Sequence, residues 1–297
     1  MRFDVYTPLV LSLLLSVAGP LIARRVAPAL AARVLTSAAV LTAAATTWSL
    51  LLLAAALLGD APPVIREARE DGHPVTDPVP GAIGLAACLA LVAIAVRITR
   101  AVRAERRTRR ALHRLCAGHP ADTELVVAAS EVPQAFAIPG RPGRILVTSG
   151  LLRALEPAER RVLLAHERAH LAHRHGPLVA AATLAAAADP LLGPVRKAVG
   201  FLVERWADEQ AATTVGDRRT TARALARAAL TAGPSRTACA LHFTDRAVTR
   251  RIAALQTSPP PRLWPAAAAV LLLAALAALL AADATGDLLR QLSGALS

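Results

Sequence analysis

Four apolar stretches, at about 5–23, 34–58, 79–96 and 263–282, set the frame within which this chain must fold. Each reaches or approaches the ~20 residues a helix needs to cross the hydrocarbon core of a bilayer. The apolar content is aliphatic: 55% of the 297 residues are hydrophobic, only 3% are aromatic, and mean hydropathy is +0.45. These stretches predict a mainly α membrane protein with four transmembrane helices. The first stretch does not read as a cleaved export signal. Arg2 is balanced by Asp4 at its head, whereas Arg24 and Arg25 follow the apolar run directly, the charge order of an anchor.

A net charge of +13, carried almost entirely by arginine, orients the spans. Arg24, Arg25 and Arg33 follow the first stretch without an acid. After the second, Arg66 and Arg69 face Asp60, Glu67, Glu70, Asp71 and Asp77. After the third come Arg97, Arg100, Arg103, Arg106, Arg107, Arg109, Arg110 and Arg114, opposed by Glu105. Loops rich in Lys and Arg stay in the cytoplasm. The predicted topology is therefore a multi-pass protein of the cell membrane, with the N-terminus outside, 97–262 in the cytoplasm and the short tail outside. The basic run at 97–114 has no interleaved aromatic residues and abuts a span, so nucleic acid is not the expected partner. A juxtamembrane helix lying on anionic headgroups accounts for it better. Cys88, Cys116 and Cys239 form no CxxC pair, which argues against cysteine-based metal or redox chemistry.

Between the third and fourth stretches the pattern changes. Leu125–Val127 and Ile145–Val147 read as short strands, with 134–139 as an edge strand and Gly140-Arg141-Pro142-Gly143 as a turn. A helix is predicted from Pro157 to about His175, stopped by Gly176-Pro177. It contains His166-Glu167-Arg168-Ala169-His170, whose spacing of four puts both imidazoles on one face, suited to one Zn²⁺. Glu167 follows the first histidine, where it can serve as general base for an attacking water. HExxH also arises by chance, so a third ligand decides the matter. Glu204 and Asp208 stand one turn apart on a second helix, so that one can ligate while the other orients a histidine. His173, seven residues after His166, lies too far along a straight helix to share the ion, and it and His175 read as supporting or helix-end residues. The apolar segment 177–203 cannot be a single crossing if His170 and Glu204 share a metal. Asp189-Pro190 and Gly193-Pro194 predict a helical hairpin there instead.

Together, Ala135–Gly140, Ile145–Leu152, HERAHLAHRH at 166–175 and ERWADEQAA at 204–212 resemble the BlaR/MecR-type membrane metallopeptidases. The same order of motifs occurs in the related HtpX-like and CAAX prenyl protease-like peptidases. The resemblance covers about 120–255 and implies a cytoplasmic α+β gluzincin-type zinc peptidase domain set between the third and fourth spans. It implies one Zn²⁺ per chain on His166, His170 and Glu204, with Glu167 as base and Asp208 supporting the site or proton transfer. It also implies a peptide or protein substrate, held extended along the Ala135–Ile138 edge. The domains would be membrane helices at 1–96, a basic segment at 97–119, the peptidase at 120–262, and the fourth span with its tail at 263–297. No SxxK motif follows the last span, so direct β-lactam sensing is not expected. The expected function is an endopeptidase at the cytoplasmic membrane face, cleaving a transcriptional regulator or misfolded membrane proteins. The alternative is a non-catalytic membrane signalling or scaffold protein that keeps the zinc fold.

Overall fold

A computed structural model describes residues 7–59, 81–120, 122–232 and 245–258, together with part of 263–279. Among the described residues, three helices are long and apolar enough to cross a membrane: α1 (Thr7–Arg25), α2 (Pro28–Gly59) and α3 (Gly81–Leu115). The acidic loop expected outside, at 60–78, and most of the fourth span expected at 263–282 lie outside the described residues. Val270 and Ala274 of that last segment are buried in the same apolar cluster as α1 and α2.

The basic run is not a separate element. Helix α3 continues through it without interruption for 35 residues, about 52 Å at 1.5 Å per residue. Nothing at 97–114 breaks a helix: there is no glycine or proline, and arginine is a good helix former. The arginines of 97–114 thus continue the axis of the candidate span. The far end of α3 supports a small sheet.

That sheet comprises β1 (Leu125–Ala128), β2 (Ala135–Ile138) and β3 (Arg144–Thr148), in the order β1-β3-β2. β1 runs parallel to β3 and β2 antiparallel to it, with Phe136 opposite Leu146 and Ala137 opposite Ile145. Strand β3 is central, and its side chains alternate between two buried layers. Ile145 and Val147 meet Leu151, Leu155 and Leu163 on one face, while Leu146 meets Phe136, Ile138 and Leu112 of α3 on the other. Helix α4 (Ser149–Ala154) follows at once. Gly150 is required there, because a Cβ would collide with the Glu131 carbonyl.

Helix α5 (Pro157–Ala172) starts at proline as expected, and the Glu159 carboxylate accepts the Glu156 backbone N–H at 2.9 Å. It ends three residues before the predicted stop. Arg174 adopts a left-handed conformation (φ 51°) and turns the chain, and Gly176-Pro177 instead open α6 (His175–Ala188). Proline is tolerated in a first turn, where its missing N–H would have had no partner. A 3₁₀ turn at Pro190–Leu192 leads into α7 (Gly193–Val215), so 177–203 forms the expected hairpin. Helices α8 (Arg218–Ala232) and α9 (Asp245–Leu255) complete the described core.

The hairpin shares one apolar cluster with the candidate spans. Ala182, Ala185, Leu192, Val195 and Val199 pack with Leu15, Ala31, Leu35 and Ile94. Its tip carries Asp189, buried to 2% exposure. There the carboxylate accepts hydrogen bonds from Ser12 of α1, from Thr46 of α2 at 3.2 Å, and from the Leu191 N–H at 3.0 Å. A carboxylate at this depth needs such donors to offset its desolvation.

Candidate metal centre

Helix α5 and helix α7 cross so that the predicted residues meet. One ligand atom from each of His166, His170 and Glu204 lies within 4.8 Å of the others. The Nε2 atoms of the two histidines are 3.0 Å apart. Glu204 places Oε2 at 3.5 Å from His166 Nε2 and Oε1 at 3.7 Å from His170 Nε2. Ligand atoms at about 2.1 Å from a tetrahedral ion are about 3.4 Å apart, so these spacings suit a single zinc. Two imidazoles and one carboxylate are also a donor set of catalytic zinc sites, with a fourth position left open.

The outer nitrogens are held as well. Asp208 Oδ1 lies 3.1 Å from His166 Nδ1, and His175 Nδ1 lies 3.0 Å from His170 Nδ1. Of the alternatives left open for α7, Glu204 therefore faces the ligand cluster and Asp208 backs a histidine. His173 points away and stacks on Trp206, with ring centroids 4.7 Å apart. Trp206 in turn lies under Arg33 of α2 at 4.7 Å. The site thus sits at the end of the bundle where α1 gives way to α2.

Arg251, on α9, is the residue that sequence reasoning missed. Its guanidinium donates to both Asp208 oxygens at 2.7 Å and lies 3.0 Å from Glu204 Oε2. Nothing in the spacing of 34 basic residues distinguishes it. Only the fold brings α9 against α7. Arginine and acids are buried together here, so removing one partner strands a charge, at a cost of about 3–5 kcal/mol. Arg251→Met is expected to lower stability by about that amount, measured by denaturant or thermal unfolding in detergent. A loss below about 1 kcal/mol, the range of an exposed pair, would show that the network adds little.

The electrostatics are asymmetric. Burial alone would lower the pKa of His166, but Asp208 and Glu204 outweigh it and raise the metal-free value to about 10. His170 has no acid behind it, and burial takes it down to about 4. Burial would raise Glu204, yet Arg251 and the two histidines hold it well below the usual carboxylate range. Glu167 is pushed up to about 7, mainly by burial, although His166 and a hydrogen bond from the Ala137 N–H of β2 pull the other way. A carboxyl poised near neutrality suits proton transfer in both directions.

Comparison with known proteins reaches the same segment. Residues 100–188 match peptidase family M48, a stretch that includes the sheet and the HExxH helix but not Glu204, Asp208 or Arg251. The chain is 48% identical over 52 residues to a protein named Protease HtpX homolog 1 from Streptomyces coelicolor, covering 17% of each chain. It is 49% identical over 55 residues to Protease HtpX homolog from Thermoplasma acidophilum, again over 17% of each. The matched segment thus spans about a sixth of those relatives. No solved structure matches. These names favour the HtpX-like side of the resemblance over the BlaR/MecR type. The stretch matched to peptidase family M48, residues 100–188, contains the helix that carries His166, Glu167 and His170.

Proposed function

We propose that this protein is a membrane-embedded, zinc-dependent endopeptidase with His166, His170 and Glu204 as ligands and Glu167 as general base. The observation that carries the reading is convergence. Three donor atoms from two helices face one point, and the two histidines are fixed from behind by Asp208 and His175. His166, His170 and Glu204 would hold a zinc ion there, which would supply Lewis-acid polarisation of the scissile carbonyl and acidify the attacking water. The protein's own residues do the rest. Glu167 takes the proton of the attacking water and returns it to the leaving amine. Strand β2 is an edge strand beside α5. A substrate strand that pairs with it lies across the site with its carbonyl near Glu167. Ala135 and Ala137 keep that face of β2 small. Asp208 keeps His166 in the orientation and tautomer needed for coordination.

Purified protein in detergent should hold about one zinc per chain, as such a donor set does, and cleave an unfolded protein such as casein. Cleavage should stop on chelation and return with zinc. Persistent cleavage after complete metal removal would refute the reading. A regulator or a misfolded membrane protein remains the proposed natural substrate, met at the cytoplasmic face. Topology follows from the arginine distribution. A reporter fused near residue 70 should be extracellular, and reporters near 120 and 215 cytoplasmic. Residues 120 and 215 found on opposite faces would contradict both the orientation and a shared metal.

A further inference from the structure

His175 is the most enclosed imidazole at the site, with 1% of its surface exposed. Its Nδ1 lies 3.0 Å from Nδ1 of His170, and its Nε2 is buried without a hydrogen-bond partner. Trp206 and His173 close around the ring, with centroids 4.5 and 5.8 Å away. These contacts constrain where the protons can be. His170 turns Nε2 toward His166 and Glu204, so coordination there uses the Nε2 lone pair and leaves its proton on Nδ1. A proton on Nδ1 of His170 requires a bare Nδ1 on His175, whose own proton then sits on Nε2. The reverse arrangement, with His175 donating, would put the His170 proton on Nε2 and block the metal.

We infer that His175 is a positioning residue that selects the metal-binding tautomer of His170, doing with a neutral imidazole what Asp208 does for His166 with a carboxylate. The inference rests on the zinc reading above. It explains why the fold tolerates a buried Nε2–H without an acceptor. That donor is the necessary counterpart of the acceptor His175 turns toward His170. It also makes the two histidine arms unequal, because a carboxylate strengthens its imidazole as a donor and a neutral ring does so less.

The test uses the full chain in detergent with zinc bound. Nitrogen-15 spectra of histidine-labelled protein should show His175 protonated on Nε2 with Nδ1 bare, and His170 protonated on Nδ1. A proton on Nδ1 of His175 overturns the inference without any variant. His175→Phe should lower zinc affinity by about 10–100-fold in chelator competition, while the unfolding midpoint of the metal-free protein stays near wild type. His175→Asn, whose amide oxygen can accept from His170, should recover most of the affinity. Wild-type affinity in a folded Phe variant overturns this inference alone. Wild-type protein that binds no zinc overturns the zinc reading and this inference with it.

Discussion

Glu167→Gln is expected to leave the metal bound and the fold intact while lowering peptide cleavage by about 10²–10⁴-fold, the usual worth of general acid–base assistance. The substitution preserves volume and the hydrogen bond from Ala137, since an amide oxygen accepts as a carboxylate does. What it removes is the ability to take a proton and give it back. Glu167 is buried in the wall of the site rather than among the three converging donors, so metal content should be unchanged. Parallel metal analysis and casein cleavage make the comparison. A Gln variant that cleaves at the wild-type rate would end the peptidase reading and favour the scaffold.

Alanine at His166, His170 or Glu204 should remove the metal itself. Each supplies one of three donor atoms, and a two-donor remnant cannot hold zinc against water at nanomolar concentration. Cleavage should fall to background in all three variants. Glu204→Ala is the most informative, because Glu204 lies beyond the stretch that matches the peptidase family and its assignment rests on geometry. It also relieves Arg251 of one of its acidic partners, so some change in stability should accompany the metal loss. Full zinc retention in Glu204→Ala would move the third ligand elsewhere.

Local rules carried the sequence reading a long way. Spacing of four put His166 and His170 on one face, and two proline signals placed the hairpin bend where it is found, at 189–193. Short apolar runs gave the three described strands within a residue or two. Three features were not legible because they depend on contacts between distant segments. The parallel pairing of β1 with β3 leaves no periodic trace in either strand. The approach of Arg251 to Asp208 spans 43 positions, with only tertiary packing to specify it. Asp189 reads in sequence as an ordinary turn residue before proline. Its burial between Ser12 and Thr46 becomes visible only once α1 and α2 close around it.

The anchoring of the hairpin tip bears on whether the proposed peptidase unit can exist apart from the candidate membrane helices. Helix α7 begins among α1 and α2 and, without a break, delivers Glu204 and Asp208 to the HExxH helix. A fragment beginning after the third span would therefore lose more than its tether. It would expose the alanine and leucine surface of α6 and α7 to water, leave Asp189 without its two hydroxyl donors, and uncover Trp206 where Arg33 now lies. Glu204, the proposed third ligand, would then stand on a helix with an unsupported first half. Shedding from the membrane, by proteolysis or by truncation, would on this architecture switch the proposed activity off rather than set it free.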